Sequence, residues 1–505
     1  MRASGILLPV SSLPSSYGIG CFSKSAYTWI DFLEKSGQTF WQILPLGPTG
    51  YGDSPYQSFS TYAGNPYFIS LDTLIEEGLL SRNACDQAEL GSNPSYVDYE
   101  KLFQNRYPLL RAAYANSRKQ KDKKFLEFVE KQAHWLPDYA LFMAIKEAHG
   151  GKSWDTWEDE LRMREEDALQ KCRENYAEEI CFQEYLQYWF FTQWEKVKKY
   201  ANRKGIRIIG DIPIYVAFDS ADAWMNPELF QFDEEGYPTS VAGCPPDGFA
   251  ADGQLWGNPL YRWEYHKKTG YDWWIKRIRH CKDWYDVVRI DHFRGFDEYY
   301  SIPYGNKNAR IGEWKKGPGI ELFEVIKKEV PEMEIIAEDL GYLTDSVREL
   351  VKESGFPGMK VLEFAFGGEV ENDYLPHNYV ENAVVYTGTH DNETLMQYLR
   401  GLHDYQKGFI RAYLNRPHDT DEELCENLIR TALSSVAKYC IIPIQDYLAL
   451  GKEARMNFPS TLGGNWEWRI RKEQMTGQLA EKIGGLTGLY DRYRRTDVSQ
   501  QHPGE

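Results

Sequence analysis

One pattern narrows the possible folds of this chain more than any other: short apolar, β-branched segments that turn abruptly charged at their C-terminal ends. Its sharpest instance runs Asp286-Val287-Val288-Arg289-Ile290-Asp291-His292-Phe293-Arg294-Gly295. The apolar first half has the composition of a strand buried on both faces, as parallel sheets require. The charges that follow are costly to desolvate unless they are paired or used. Asp291 stands between Arg289 and Arg294, and nearby positive charge is expected to hold its carboxylate ionised. A fixed, ionised Asp at a strand end is a candidate nucleophile. A buried structural ion pair would use the same residues.

The pattern recurs along the chain. Thr39 to Leu46 and Pro66 to Leu74 are expected as two early strands, the first preceded by an amphipathic helix over about residues 25–36. Ile206 to Val216, the Asp291 segment, Glu334 to Gly341, Met359 to Phe366, Ala383 to Asp391 and Tyr439 to Tyr447 follow, with helical segments between most of them. That makes about eight strands, the number that closes a parallel barrel, and such barrels carry catalytic groups at the C-terminal ends of their strands. The expected fold class is therefore α/β: a (β/α)8 TIM barrel with helical insertions, read as one catalytic unit over residues 1–505. From about 83 to 203 the rhythm changes to Glu, Lys, Leu, Trp and Tyr at helical spacing, which predicts a mainly helical insertion. Its carboxylate runs, such as Glu158-Asp159-Glu160, read as solvated helix faces.

Composition excludes several partners. A net charge of −17 gives no basic face for nucleic acid or an anionic membrane. The 16 Trp and 35 Tyr suit a surface that stacks on flat or polyhydroxylated ligands, although such residues also fill cores. The 8 Cys are scattered without a CxxC pair, which fits free thiols in a reducing compartment and offers no zinc site. Gly5-Ile6-Leu7-Leu8-Pro9-Val10 is too short for a signal peptide, so a cytoplasmic protein is expected. No metal or cofactor is expected.

Three strand ends supply acids to one face: Asp291, Glu338 and Asp391, with His390 beside the last. Paired carboxylates around a scissile bond are the working parts of glycoside chemistry, one ionised and attacking, the other protonated and donating. Asp291 suits the nucleophile. Glu338 follows Ile335-Ile336-Ala337, an apolar setting that raises a carboxyl pKa, and suits the acid. Asp391 would then bind sugar hydroxyls. Each acid alone is equally compatible with a helix cap or an ion pair. The loop from Gly47 to Tyr56 is dense in turn formers and ends a strand, with Tyr51, Ser54 and Tyr56 as polar tips.

The chain resembles the amylomaltase family, the 4-α-glucanotransferases or disproportionating enzymes, distant relatives of the α-amylases. The likeness rests on WQILPLGPTGYGDSPYQSFS, GDIPIYVAFDSADAW, AGCPPDGFAADGQLWGNPLY, RIDHFRG, AEDLG, THDNET and NFPSTLGGNW, in that order and over nearly the whole length. It implies Asp291 as nucleophile, Glu338 as general acid/base and Asp391 as transition-state stabiliser. By the same likeness Arg289, His390, Asp211 and Tyr56 flank the cleavage point. Ser54, Gln254, Trp256, Asn258 and Asn465 line the glucan path, and Tyr51 belongs to a second glucan groove. Residues alone leave Trp256 open between core and sugar platform. The likeness also implies a loop insertion at about 243–258 that overhangs the site, with Phe249 as lid contact beside Gly248, where some relatives carry an aromatic.

The implied activity is transfer of α-1,4-glucan segments to the 4-hydroxyl of an acceptor glucan or glucose by retaining double displacement. The substrates would be maltooligosaccharides, amylose, and glycogen or starch dextrins, with no obligate protein partner. An α-amylase-like hydrolase shares the scaffold, because transfer over hydrolysis depends on excluding water. A non-catalytic glucan-binding protein would use the aromatics without requiring the acids.

Overall fold

The computed structural model describes residues 2–50, 52–117, 123–246, 251–341, 343–367 and 372–493. Eight parallel strands form one sheet that curls into a nearly closed barrel: β1 Ala3–Leu7, β2 Phe40–Gln42, β3 Arg207–Pro213, β4 Val287–Asp291, β5 Glu334–Ala337, β6 Gly358–Val361, β7 Ala383–Tyr386 and β8 Tyr439–Pro443. The spatial order is β6-β7-β8-β1-β2-β3-β4-β5. Across the remaining seam, Ala337 N–H donates to Pro357 O at 3.0 Å. Phe40, Ile209, Val287, Ile336, Val384 and Ile441 belong to the buried set that fills the barrel's interior. The larger apolar cluster packs around it. This is the fold expected from the alternation of apolar runs and helices.

One strand differs from expectation. Pro66 to Leu74 is not a strand but a 3-10 turn, Pro66–Phe68, followed by the helix Leu71–Glu76. The reason is local: the Asn65 side chain accepts from Tyr67 N–H, and the Ser70 hydroxyl accepts from Thr73 N–H. Both are N-cap geometries, which outweigh an apolar run's strand preference. The missing strand is β1. It pairs with β8 on one side and β2 on the other, so the chain's start is locked beside a strand more than 430 residues away. Gly5 is required there, because a Cβ would stand 2.5 Å from Phe40 Cβ.

Residues 82–203 are helical wherever described outside short connections. The last of these helices, Ala177–Arg203, is the longest, and its Gln187 and Gln193 reach into the segment beyond β2. Gln187 pairs with the backbone N–H and C=O of Gly64, and Gln193 accepts from Ser70 N–H at 2.7 Å. Buried amides that satisfy buried backbone groups fix a loop far more firmly than apolar contact does. Beyond β3 a second, four-stranded antiparallel sheet forms from Ser240–Cys244, Gln254–Pro259, Glu298–Pro303 and Glu313–Lys316. Among the described residues no helix is long and apolar enough to cross a membrane.

Candidate active site

Register builds the centre of the site. Asp211 on β3 lies directly across from Arg289 on β4, and Asp291 is two residues further on, so all three side chains project from one face. Arg289 is consequently able to touch both acids. Its Nη1 lies 2.7 Å from each oxygen of Asp211, and its Nη2 donates to Asp291 Oδ1 at 3.0 Å. Arg289 Nε donates to Met359 Sδ at 3.4 Å from β6. Tyr56 OH donates to Asp211 Oδ2 at 2.8 Å, so the chain of contacts runs Tyr56–Asp211–Arg289–Asp291. Asp211 is fully buried, whereas the Asp291 side chain is 28% exposed and opens on the cleft.

Glu338 directly follows β5, whose Ala337 lies across from Ile290. Its Oε2 accepts from His292 N–H at 2.6 Å and its Oε1 from Leu340 N–H at 3.0 Å. His292 adopts the left-handed region, φ 54°, which redirects the chain as β4 ends. Burial and the neighbouring Asp291 push the Glu338 carboxyl well above the ordinary glutamate range, against the pull of Arg289 and the two N–H donors. The acid expected from the apolar run before it therefore tends to keep its proton.

Asp291 corrects an expectation. Burial, with Asp211 and Asp391 adding to it, raises its pKa to about 6 against the pull of Arg289 and His390. The sequence suggested two arginines holding it ionised. In the structure Arg294 turns away and lies 4.0 Å over the Trp314 ring, and Arg289 is shared with Asp211. Asp291 still ionises below neutrality.

Asp391 lies in the loop after β7, with about half its side chain open to the cleft. Burial opposes its ionisation, but His390, the Asn457 amide and Arg289 overcome that and hold it well below the usual carboxylate range. Asn457 Nδ2 donates to Asp391 Oδ1 at 2.7 Å, and His390 Nε2 lies 3.4 Å from Oδ2. The His390 pKa is raised: burial works against its protonation, and Asp391 outweighs it. The His390 ring stacks on Tyr56, centroids 5.1 Å apart, with Trp466 tilted against both.

Tyr56, Asp211, Arg289, Asp291, Glu338, His390 and Asp391 thus form one connected cluster. Trp256 meets His292 edge to face at 4.8 Å and donates to Gln254 Oε1 at 3.1 Å, on the antiparallel sheet beside the cleft. Asn258 accepts from Gln57 and donates to Val216 O, and Ser54 Oγ accepts from Tyr56 N–H. Asn465 accepts from Phe458 N–H and donates to Thr461, closing its own loop. Tyr51, Gly248 and Phe249 lie outside the described residues. Sequence reasoning missed Asn457, Trp466 and Met359. Asn457 and Trp466 sit within a motif already in view, but nothing in the order of residues says which of them reaches Asp391 or His390.

Residues 8–475 match the family described as 4-alpha-glucanotransferase. The chain is 48% identical to the 4-alpha-glucanotransferase of Clostridium butyricum over 96% of its own length and 99% of the relative's. It is 46% identical to the 4-alpha-glucanotransferase of Thermus thermophilus, covering 97% and 99%. Among solved structures it is similar to the amylomaltase of Streptococcus agalactiae in complex with acarbose, at a TM-score of 0.95 and 43% identity, covering 98% of this chain and 100% of that one.

Proposed function

The chain belongs to the 4-alpha-glucanotransferase family, and from that premise we propose that it moves α-1,4-glucan segments by a retaining double displacement centred on Asp291. It is a hexosyl-transferring enzyme. In the first half of the proposed cycle the Asp291 carboxylate attacks the anomeric carbon. The glycosidic bond breaks, and the proton of Glu338 passes to the departing 4-oxygen. Asp291 then carries the glucan as a covalent ester. In the second half Glu338 takes the proton from the 4-hydroxyl of an incoming glucan or glucose, whose oxygen displaces Asp291. Asp391 offers negative charge to the oxocarbenium-like transition states.

One observation carries this reading: three carboxyls at the C-terminal ends of β4, β5 and β7 lie near enough to act on one another's charge, and their surroundings drive them to different protonation states. Glu338 is pushed up, Asp291 ionises above about 6, and Asp391 is pulled far down. Acid and base roles follow from such separation.

The reading extends to maltooligosaccharides, amylose and glycogen or starch dextrins as donors and acceptors, and to work in a reducing cytoplasm. It assigns glucan contact to Tyr51, Ser54, Tyr56, Asp211, Phe249, Gln254, Trp256, Asn258, Arg289, His390 and Asn465. It treats residues 83–203 as a wall and 243–258 as a rim of one catalytic unit.

Maltotriose decides the matter. Incubation with the purified protein should give glucose and a ladder of longer maltooligosaccharides at constant reducing ends. Rising reducing ends without longer products would make the enzyme a hydrolase. No change, even with amylose present, would leave only binding.

A further inference from the structure

Behind the cleft lies a carboxylate that faces no substrate. Asp446 follows β8 in the short helix Ile444–Tyr447 and is 2% exposed. Its Oδ2 accepts the Thr387 hydroxyl at 2.5 Å, and its Oδ1 accepts Leu395 N–H at 2.8 Å. Thr387 is the first residue beyond β7, and Leu395 opens the helix Leu395–Gly401. The residues between them are the loop that carries His390 and Asp391. One carboxylate on the neighbouring strand end therefore grips both ends of that loop.

Two further contacts add to the frame. Within the loop, Asn392 Oδ1 accepts from both the N–H and the hydroxyl of Thr389, at 2.9 and 2.8 Å. From the opposite neighbour, Glu363 N–H beyond β6 donates to Thr387 O at 3.2 Å. Since β7 ends at Tyr386, Asp391 lies beyond the strand ladder: Arg455 Nη2 donates to its carbonyl at 3.2 Å and Asn457 to its carboxylate, while Asp446 holds the two ends of the loop.

We propose that Asp446 is a positioning residue of the transfer reaction: by holding Thr387 and Leu395 together it fixes the loop from which Asp391 reaches the sugar. The proposal rests on Asp391 acting as the stabiliser, as set out above. A charged group displaced by about 1 Å costs a reaction on the order of 10²-fold. Losing the grip should therefore lower kcat more than it raises KM.

The test measures kcat and KM for Asp446→Ala, Asp446→Asn and Thr387→Val, each also combined with Asp391→Asn. Maltotriose and an α-maltosyl fluoride donor serve as substrates, the fluoride keeping slow rates readable. Asp446→Asn still offers an acceptor to Leu395 and an amide donor to Thr387. It should keep most of the wild-type kcat. Asp446→Ala should lose about 10- to 100-fold in kcat at nearly unchanged KM, and Thr387→Val should lose less in the same sense. In the Asp391→Asn background neither change should lower the rate further, because a residue that acts through Asp391 has nothing left to place. Thr387→Val is the decisive variant if Asp446→Ala fails to fold. Wild-type kcat in Thr387→Val and a folded Asp446→Ala, or an equal loss in the Asp391→Asn background, would overturn the proposal. Full activity of Asp391→Asn itself would instead overturn the reading of the site beneath it.

Discussion

Arg289 touches two carboxylates on one face of the barrel, so its charge is already divided before a sugar arrives. Asp211 holds Nη1 with both its oxygens and adds its own repulsion, which is why burial leaves Asp291 near 6 and not near the bottom of the carboxylate range. The pH profile should show this directly. The proposed cycle needs Asp291 ionised and Glu338 protonated, so kcat/KM should rise with pH through about 6 and fall on the alkaline side as Glu338 loses its proton. Asp211→Asn removes a negative neighbour and frees the guanidinium for Asp291. The acid limb of its residual activity should therefore move to lower pH, and a limb that stays or moves upward would refute this account. Asp291→Asn should lower kcat by about 10⁴-fold or more, the scale seen when a covalent nucleophile is deleted. Its stability has a definite sign too. A carboxyl whose folded pKa is raised stabilises the fold only at low pH, and that contribution is lost as pH rises through about 6. The neutral amide avoids this loss, so Tm at pH 7 should not fall below wild type. Much of this was legible in the sequence: Arg289 and Asp291 stand two apart, and the apolar run before Glu338 announces its raised pKa. The share taken by Asp211 was not, because it comes from a residue 78 positions away across a strand register.

At the level of elements, apolar runs ending in charge located most of the barrel, and local chemistry decided the exceptions. The segment after Asn65 is apolar enough for a strand, but two side-chain caps turn it helical. β1 shows the converse. Ala3, Ser4 and Gly5 make a weak strand by composition, and the segment is a strand because β8 and β2 bind its two edges. Gly5 is the point where that dependence is tightest. A side chain there would collide with Phe40 Cβ at 2.5 Å and with the Phe40 carbonyl at 2.7 Å. Overpacking of this kind costs about 1–3 kcal/mol. Gly5→Val should lower the denaturation midpoint accordingly, whereas a midpoint equal to wild type would mean that β1 and β2 part without strain.

Over the whole molecule, residues far apart in sequence meet at the bottom of the barrel, opposite the cleft. Arg492, fully buried, donates to the carbonyls of Ala3, Leu433, Ser435 and Ala437. These lie at the start of β1 and on the approach to β8, so one side chain staples the first strand, the last strand and the segment after the final helix. Nothing in the run Asp491-Arg492-Tyr493 marks it, since an arginine among polar residues usually stays in water. Its value appears only once the barrel has brought residues 3 and 437 together. Arg492→Ala would deprive the carbonyls of Ala3, Leu433 and Ala437 of their guanidinium donor, while Ser435 O keeps Arg2; a buried group left unsatisfied costs about 1–3 kcal/mol. Because Asp291, Glu338 and Asp391 sit at the other ends of the strands, the loss should fall on stability alone. Thermal unfolding should start at a clearly lower temperature, while kcat and KM at 25 °C match wild type. If kcat fell together with Tm, the base of the barrel would be coupled to the cleft, and the division between a stabilising and a catalytic face would not hold for this enzyme.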